Sequence, residues 1–488
     1  MSRLFVLAMF IMPVDMAYCQ TSLFEQMMRQ LDAASLPLVN LIVDTGRLNN
    51  RNYIDGSIEI ADYKRRTDPG SLSVRYRCKI RYRGSSALRY GKKSFAVKLT
   101  DENGRDLDAC ILGIREENSW ILDAMAIDRI RMRNRVCFDL WNQMSRTPYD
   151  TKYDGRNGTA GEFVEVFVNG EYHGLYCLTD KVDRKLLGLK KAKEGNDGSV
   201  SVRGLLYKGI SWESASDLLS YEEAGTDTVS WNAWELKYPD DHPSAGTWQP
   251  LMDLIDFCSE TTDDRTFQEE WETHFHKGNL VDYMVFTLAL NVRDNGYKNM
   301  YLSCRNIEDG QQFLITPWDM DASLGGNWNG ERLDGTSHLN RYDGIGPYNR
   351  LHKENIDDFT GSLRETWGRY GGSVFSPANV ERMLDGYARR FMQSGAWQRE
   401  YEKWNGNPVP LDASPETELA YVKDWYRKNH AHLSWSLGVS TGIGHIAAEG
   451  ASKKTPMYTI DGRKIEWNGN SRQPRGFYIM KGKVHFGF

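Results

Sequence analysis

The spacing of hydrophobic positions changes along the chain, and the changes divide it. Over residues 53–99 apolar and polar residues alternate, with SLSVRYRCKIRYRG as one strand and SFAVKL as another. On the second strand Phe95, Val97 and Leu99 share one face, and Ala96 and Lys98 the other. Alternation returns at 163–168 and 172–178 around Asn169-Gly170, a dipeptide that favours the tight turn of a hairpin. Residues 23–31 read as a helix, 38–44 as a strand, and 119–144 as a turn followed by a helix with Asp128 near its start. From 248 to 290 and from 357 to 437 the spacing becomes helical, as in Leu251, Leu254, Ile255 and Cys258 or Leu419, Val422, Trp425 and Tyr426. A strand-rich region followed by a helix-rich one predicts an α+β fold.

A single stretch interrupts the helical spacing. After the apolar run 281–290 come Asp294, Lys298 and Asn299, then two short strands at 300–304 and 312–316 around Glu308-Asp309-Gly310, then Pro317-Trp318-Asp319-Met320-Asp321. This hairpin returns a second acidic cluster to the side of the first. Carboxylates at both ends suit a hard cation such as Mg²⁺, which takes oxygen ligands from one or two carboxylates and from substrate phosphates. Asp294 precedes Asn299 by five positions, as the base precedes the metal-binding Asn in protein kinase catalytic loops. Asp319 or Asp321 then falls where a second metal-binding Asp is expected. On spacing alone, a solvated loop and turn-capping Asp residues fit equally well.

Composition narrows the class. The chain has 488 residues, 26% charged and 12% aromatic, and a net charge of -5, which gives no reason to expect nucleic acid or an anionic membrane as partner. Residues 1–19 have the pattern of a signal peptide, with Arg3, an apolar run from 4 to 12 and a small-residue site ending at Cys19. A lipoprotein anchor on Cys19 is the competing reading, disfavoured by the large Tyr18. No later run is long enough to cross a bilayer, so an exported chain, periplasmic, surface-bound or secreted, is expected. The other six cysteines are scattered without C-x-x-C or a nearby His pair, which reads as free buried thiols rather than a zinc site.

The motif D-N-x-x-K-N at 294–299 with P-W-D-M-D at 317–321 resembles the signature of the spore coat protein H (CotH) kinase family of atypical protein kinases. Arg83-Gly84-Ser85-Ser86 followed by Lys92-Lys93-Ser94-Phe95-Ala96-Val97-Lys98, the run from Trp120 through Asp128 to Arg133-Asn134, and VEVFVNGEYHGLYCL at 164–178 resemble further blocks in family order over about residues 75–330. The resemblance implies two lobes with a nucleotide between them, and transfer of the ATP γ-phosphate to Ser or Thr of a protein substrate with Mg²⁺ or Mn²⁺. It implies Asp294 as base, Lys298 at the transferred phosphate, and Asn299 with Asp319 and Asp321 at the metal. Arg83 and Lys98, with Lys93 as runner-up, would meet the phosphates and Trp318 would stack on adenine; which acid among Glu116, Glu117 and Asp128 pairs with the lysine, if any does, stays open. Neither G-x-G-x-x-G nor D-F-G is present, so the likeness is to this family and not to ordinary kinases.

The expected layout is a signal peptide at 1–19, a β-rich lobe at 20–187, and a large lobe at 188–437. The large lobe carries an insertion at about 188–245 and the catalytic hairpin at 291–328. The Gly- and Asn-rich run 325–348 reads as a substrate loop, 438–456 as a linker, and 457–488 as a β-hairpin tail that resembles the sorting tails of exported Bacteroidetes proteins. A catalytically inactive surface protein of the same fold, and a hydrolase using the same carboxylates, are the competing functions.

Overall fold

A computed structural model describes residues 21–67, 72–196, 200–259, 261–296 and 298–440, together with four strands of the tail. The expected signal segment, and the expected linker from 441 on, lie outside the described residues.

After α1 (Leu23–Arg29), held by a Ser22–Glu25 capping box, come β1 (Leu38–Val43), β2 (Ile54–Ala61), β3 (Ser73–Arg83) and β4 (Ser94–Thr100). A two-residue ladder, β5 (Ala109–Cys110) and β6 (Glu116–Glu117), precedes β7 (Ser119–Asp123), α2 (Arg133–Met144), β8 (Gly161–Val168) and β9 (Glu171–Thr179). The long strands close a barrel in the order β1-β2-β3-β4-β7-β9-β8, completed by parallel pairing of β8 with β1. Period-two alternation drives this closure: Val39, Leu41, Ile58, Ile80, Val97, Leu99, Trp120, Val164 and Leu178 all fill the interior. Each such burial contributes roughly 1.5–3 kcal/mol. The Asn169-Gly170 turn has both residues at positive φ (51° and 83°), as the hairpin reading requires, and the Asn169 side chain continues the ladder by bonding Val43 N and O.

Residues 119–123 form a strand, not the expected turn, because Trp120 and Leu122 complete the barrel core. The helix therefore starts only at Arg133.

The next segment supplies β10 (Lys193–Glu194), β11 (Val200–Ser201), β12 (Leu205–Gly209), β13 (Ser230–Trp231) and β14 (Trp234–Tyr238), followed by α3 (Ala245–Cys258), α4 (Asp264–His274) and α5 (Lys277–Leu290). The hairpin is β15 (Met300–Cys304) and β16 (Phe313–Pro317), and α6 (Tyr348–Leu351), α7 (Phe359–Tyr370), α8 (Pro377–Gln393), α9 (Ala396–Trp404) and α10 (Glu416–Ser436) follow it. One sheet runs β13-β14-β12-β15-β16. The stretch 188–245 contributes to this sheet: β12 pairs directly with β15, and Leu205, Leu206, Tyr207, Trp234 and Leu236 are buried.

The largest apolar cluster of the core joins Ile121, Phe138, Phe163 and Leu175 to Phe286, Trp318 and Trp425, from both sides of the expected boundary at 187/188. The described residues up to 440 belong to one compact unit and the tail strands to another. The tail is a four-stranded antiparallel sheet, not a single hairpin. Cys78, Cys137, Cys177, Cys258 and Cys304 are free and buried, and Cys110 is free and exposed. No helix among the described residues is long and apolar enough to cross a membrane.

Candidate active site

Short asparagine contacts assemble the site. Asn291 ends α5 in the left-handed conformation (φ 48°), which Asn tolerates, and turns the chain into residues 292–299. The buried Asn295 donates to the Trp318 carbonyl (2.9 Å) and accepts from the Tyr283 hydroxyl (3.3 Å), tying the start of the hairpin to its end. Asn299 N donates to the Gly209 carbonyl (3.0 Å) and the Asn299 carbonyl accepts from Trp318 N (2.9 Å), adding the exit of β12. Gly296 has φ 107°, and a Cβ there would meet the Tyr342 ring at 2.3 Å, so this turn admits only glycine. On the other side, Asn134 of α2 accepts from Met320 N (3.1 Å) and donates to Asp123 Oδ2 (3.0 Å). Barrel, helix and hairpin therefore meet around a cavity of about 1100 Å³.

Charges of both signs line that cavity. Asp294 Oδ2 lies 3.1 Å from Lys298 Nζ. Asp123, Asp319, Asp321 and Asn299 line the same space, as do Arg83, Lys181 and Lys208. Asp319, like Asn299, has positive φ (55° and 56°), which aims these side chains without the strain a branched residue would suffer. Desolvation holds the Asp319 carboxyl above its usual range, with Lys208 and Arg83 working against it. Asp321 is raised well above the usual range by burial first, then by the charges of Asp319 and Asp123. Burial, followed by the Arg83 charge, lowers both Lys181 and Lys208 to about 8. Among the described residues none of Arg83, Lys181, Lys208, Asp319 and Asp321 has a side-chain hydrogen bond or an ion pair.

Comparison with known proteins identifies the setting. The model of the family described as CotH kinase protein matches residues 80–433. The chain belongs to this family. The inner spore coat protein H of Bacillus subtilis (strain 168) is similar to it, 25% identical over 361 residues that cover 73% of this chain and 87% of that protein.

In this CotH family member the residues singled out from sequence divide into two groups. Asp294, Lys298, Asn299, Asp319, Asp321, Arg83 and Trp318 all line the cavity. Lys98 and Lys93 do not. Lys98 shares the outer face of β4 with Ala96, but only Ala96 reaches the cavity; Lys98 lies two residues along, 39% exposed and 3.7 Å from Asp106. Lys93 bonds to the Leu88 and Tyr90 carbonyls and so fastens the loop after Gly84. The acids considered as partners of that lysine are engaged elsewhere: Glu116 with Lys152, Glu117 with Arg115, and Asp128 with Arg133. Asp128 also accepts from Met132 N and Arg133 N and thereby caps α2. Trp318 is 7% exposed, between Phe138 and Tyr301, with Arg83 and Lys208 over its ring at 5.5 and 5.7 Å. It is a wall that orients two cations, with little free face on which adenine could stack.

Sequence reasoning missed Asp123, Lys181 and Lys208. Lys181 follows β9 in Asp180-Lys181-Val182-Asp183, and its placement depends on Arg115, which bonds Asp180 (2.8 Å), Asp183 (2.6 Å) and the Lys181 carbonyl (3.1 Å). Lys208 alternates out of phase with the buried Tyr207 on β12, a weak signal that was present in the pattern.

The donor set fits a hard divalent cation of the Mg²⁺ type. Asp319 and Asp321 are recessed carboxylates without protein partners among the described residues, and burial and mutual repulsion make their ionised forms costly. No group of three His, Cys, Asp or Glu side chains among the described residues could ligate a metal by itself. A cation here would complete its shell from Asn299, water and phosphate oxygens, the usual habit of Mg²⁺.

Proposed function

We propose that this protein is a kinase that transfers the γ-phosphate of ATP to a Ser or Thr hydroxyl of a protein, with Mg²⁺ or Mn²⁺. The observation that carries the reading is the meeting, in one cavity, of the Asp294–Lys298 pair with unpaired carboxylates and unpaired cations. Arg83, Lys181 and Lys208 are placed to hold the phosphates, since cations without protein partners have their donors free for phosphate oxygens. Asp294 accepts the proton of the acceptor hydroxyl as its oxygen bonds to the γ-phosphorus and the bond from that phosphorus to the β-γ bridging oxygen breaks, so the charge leaves on ADP. Lys298, 3.1 Å from Asp294, would orient that carboxylate and could contact the transferred phosphate. A divalent cation held by Asn299, Asp319 and Asp321 would neutralise phosphate charge. Asp123, fixed by Asn134 and the Met125 amide (3.2 Å), adds negative potential that would strengthen cation binding. The N-terminal segment supports placing this activity outside the cytoplasm, in the periplasm, at the cell surface or in the medium.

The test is incubation of the protein with γ-labelled ATP and Mg²⁺ or Mn²⁺. Label on protein that disappears in Asp294→Ala is the expected outcome. Released phosphate without labelled protein would indicate a hydrolase, and neither product would indicate a binding protein that keeps the fold.

A further inference from the structure

Large apolar side chains are seldom left in solvent in a group, although single exposed ones are ordinary. Among the described residues seven are at least 41% exposed, and three of these, Ile210, Trp212 and Trp328, line the same cavity. Trp212 and Trp328 are 50% and 52% exposed. The chain beside each is tied to its surroundings by hydrogen bonds. Residues 209–212 leave β12 with the Gly209 carbonyl bonded to Asn299 N (3.0 Å) and Ile210 N bonded to the Ala233 carbonyl (2.8 Å). Trp328 sits on a turn closed by Asn327 N to the Glu331 carbonyl (2.9 Å), and the Gly330 carbonyl accepts from Arg129 Nε (2.8 Å).

Which reactant these side chains meet follows from their neighbours. Lys298 Nζ lies 6.0 Å from the centre of the Trp212 ring, and the same Nζ lies 3.1 Å from Asp294. Trp212 is therefore beside the proton acceptor, where a hydroxyl must arrive. The nucleotide base has another apolar surface available: Ala96, Ile121, Phe138, Cys177 and Val182 are buried and line the cavity from the barrel and α2. The phosphate cations Lys208 and Arg83 both stand over Trp318, a different ring from Trp212.

We propose that Trp212, with Ile210 and Trp328, forms an acceptor platform that selects protein segments carrying an aromatic or aliphatic residue beside the Ser or Thr to be phosphorylated. This deepens the kinase reading and rests on it. An apolar side chain of the acceptor would bury against the indole, positioning the adjacent hydroxyl at Asp294, and a segment of polar neighbours would leave the platform wet.

The experiment uses the full chain, γ-labelled ATP, Mn²⁺ and a degenerate peptide library with one fixed Ser or Thr. The wild type is expected to enrich aromatic and aliphatic residues next to the acceptor. Trp212→Ala should flatten that preference and raise KM for an apolar-flanked peptide about tenfold, with KM for ATP unmoved, as expected for losing one large apolar contact. Trp212→Phe should restore most of it, and Trp328→Ala should give a smaller shift in the same direction. Labelling without any apolar preference would overturn the platform and leave the kinase reading intact. A rise in KM for ATP in Trp212→Ala, with peptide KM unchanged, would assign the ring to the base and also overturn it. If the wild type labels no peptide and no protein, the kinase reading itself falls, and the platform with it.

Discussion

Two clusters of recessed charge lie in the same compact unit and are treated in opposite ways. In the first, Glu400 from α9 accepts from Lys92 (2.5 Å) and Arg131 (2.7 Å) through one oxygen and from Leu175 N (2.8 Å) through the other. The same pairing recurs where Arg115 meets Glu117, Asp180 and Asp183, and Asp180 meets Arg156 (2.6 Å). There almost every charge faces an opposite one. In the second cluster, Arg83, Lys181, Lys208, Asp319 and Asp321 face one cavity with no salt bridge among the described residues. Removing charge from water costs several kcal/mol per ion, and close pairing roughly returns it. The first cluster is thus near break-even as structure, whereas the second is a standing cost that only ligands of complementary charge can offset. That contrast, more than any single residue, marks this cavity as the candidate binding site.

Breaking the paired cluster should have the largest effect. Glu400→Leu would leave Lys92 and Arg131 buried without a counter-charge, and such removals cost about 3–5 kcal/mol. Denaturant unfolding would show the loss as a lower midpoint. Removing the carboxylate of the Asp294–Lys298 pair at the cavity should leave stability nearly untouched and strike activity instead. Asp294→Ala is expected to lower phosphate transfer by about 10²–10⁴-fold, the range for a positioned general base, with thermal unfolding within a few degrees of wild type.

Lys208→Ala should weaken nucleotide binding by about tenfold to a hundredfold, the scale of one charge-assisted phosphate contact. The pH profile sharpens this. With Lys181 and Lys208 lowered to about 8, their cationic forms fade as pH rises through that value, so ATP affinity of the wild type should fall above pH 8, and less steeply in Lys208→Ala.

The smallest effect has an unusual sign. Asp319 has a folded pKa above its unfolded one, so above the ordinary carboxylate range the folded state holds more protons than the unfolded chain. Stability then declines as pH rises from that range toward the raised value. Asp319→Asn, which also accepts positive φ, should flatten the decline and make the ligand-free protein slightly more stable at neutral pH while reducing transfer. In wild type, Mg²⁺ should raise the unfolding temperature, and more so at pH 8 than at pH 5, because the carboxylates must lose protons to bind it. Differential scanning fluorimetry reads both.

The contrast also explains what the sequence revealed. Barrel strands were legible because alternation at Phe95, Val97 and Leu99, or at Val164 and Val166, is a local signal. The acidic loop and hairpin were legible because Asp294, Asn299, Asp319 and Asp321 lie close along the chain. Lys181 and Lys208 were not, since one follows β9 and the other lies on β12, and they reach the cavity only through the Arg115 clamp and through β12 pairing with β15. Lys98 was singled out by local similarity, which carries no information on how far along β4 the cavity extends, and it lies outside the cavity lining. The segment 188–245 looked polar because its loops are, yet Tyr207 and Trp234 bury it in the sheet.

The most direct test of the open charge cluster as a nucleotide site is calorimetric titration of the wild type, Asp319→Asn and Lys208→Ala with ATP, with and without Mg²⁺. One nucleotide site is expected in wild type that tightens with the cation, loses the cation dependence in Asp319→Asn, and weakens in Lys208→Ala. No binding in wild type, or equal binding in all three proteins, would contradict it.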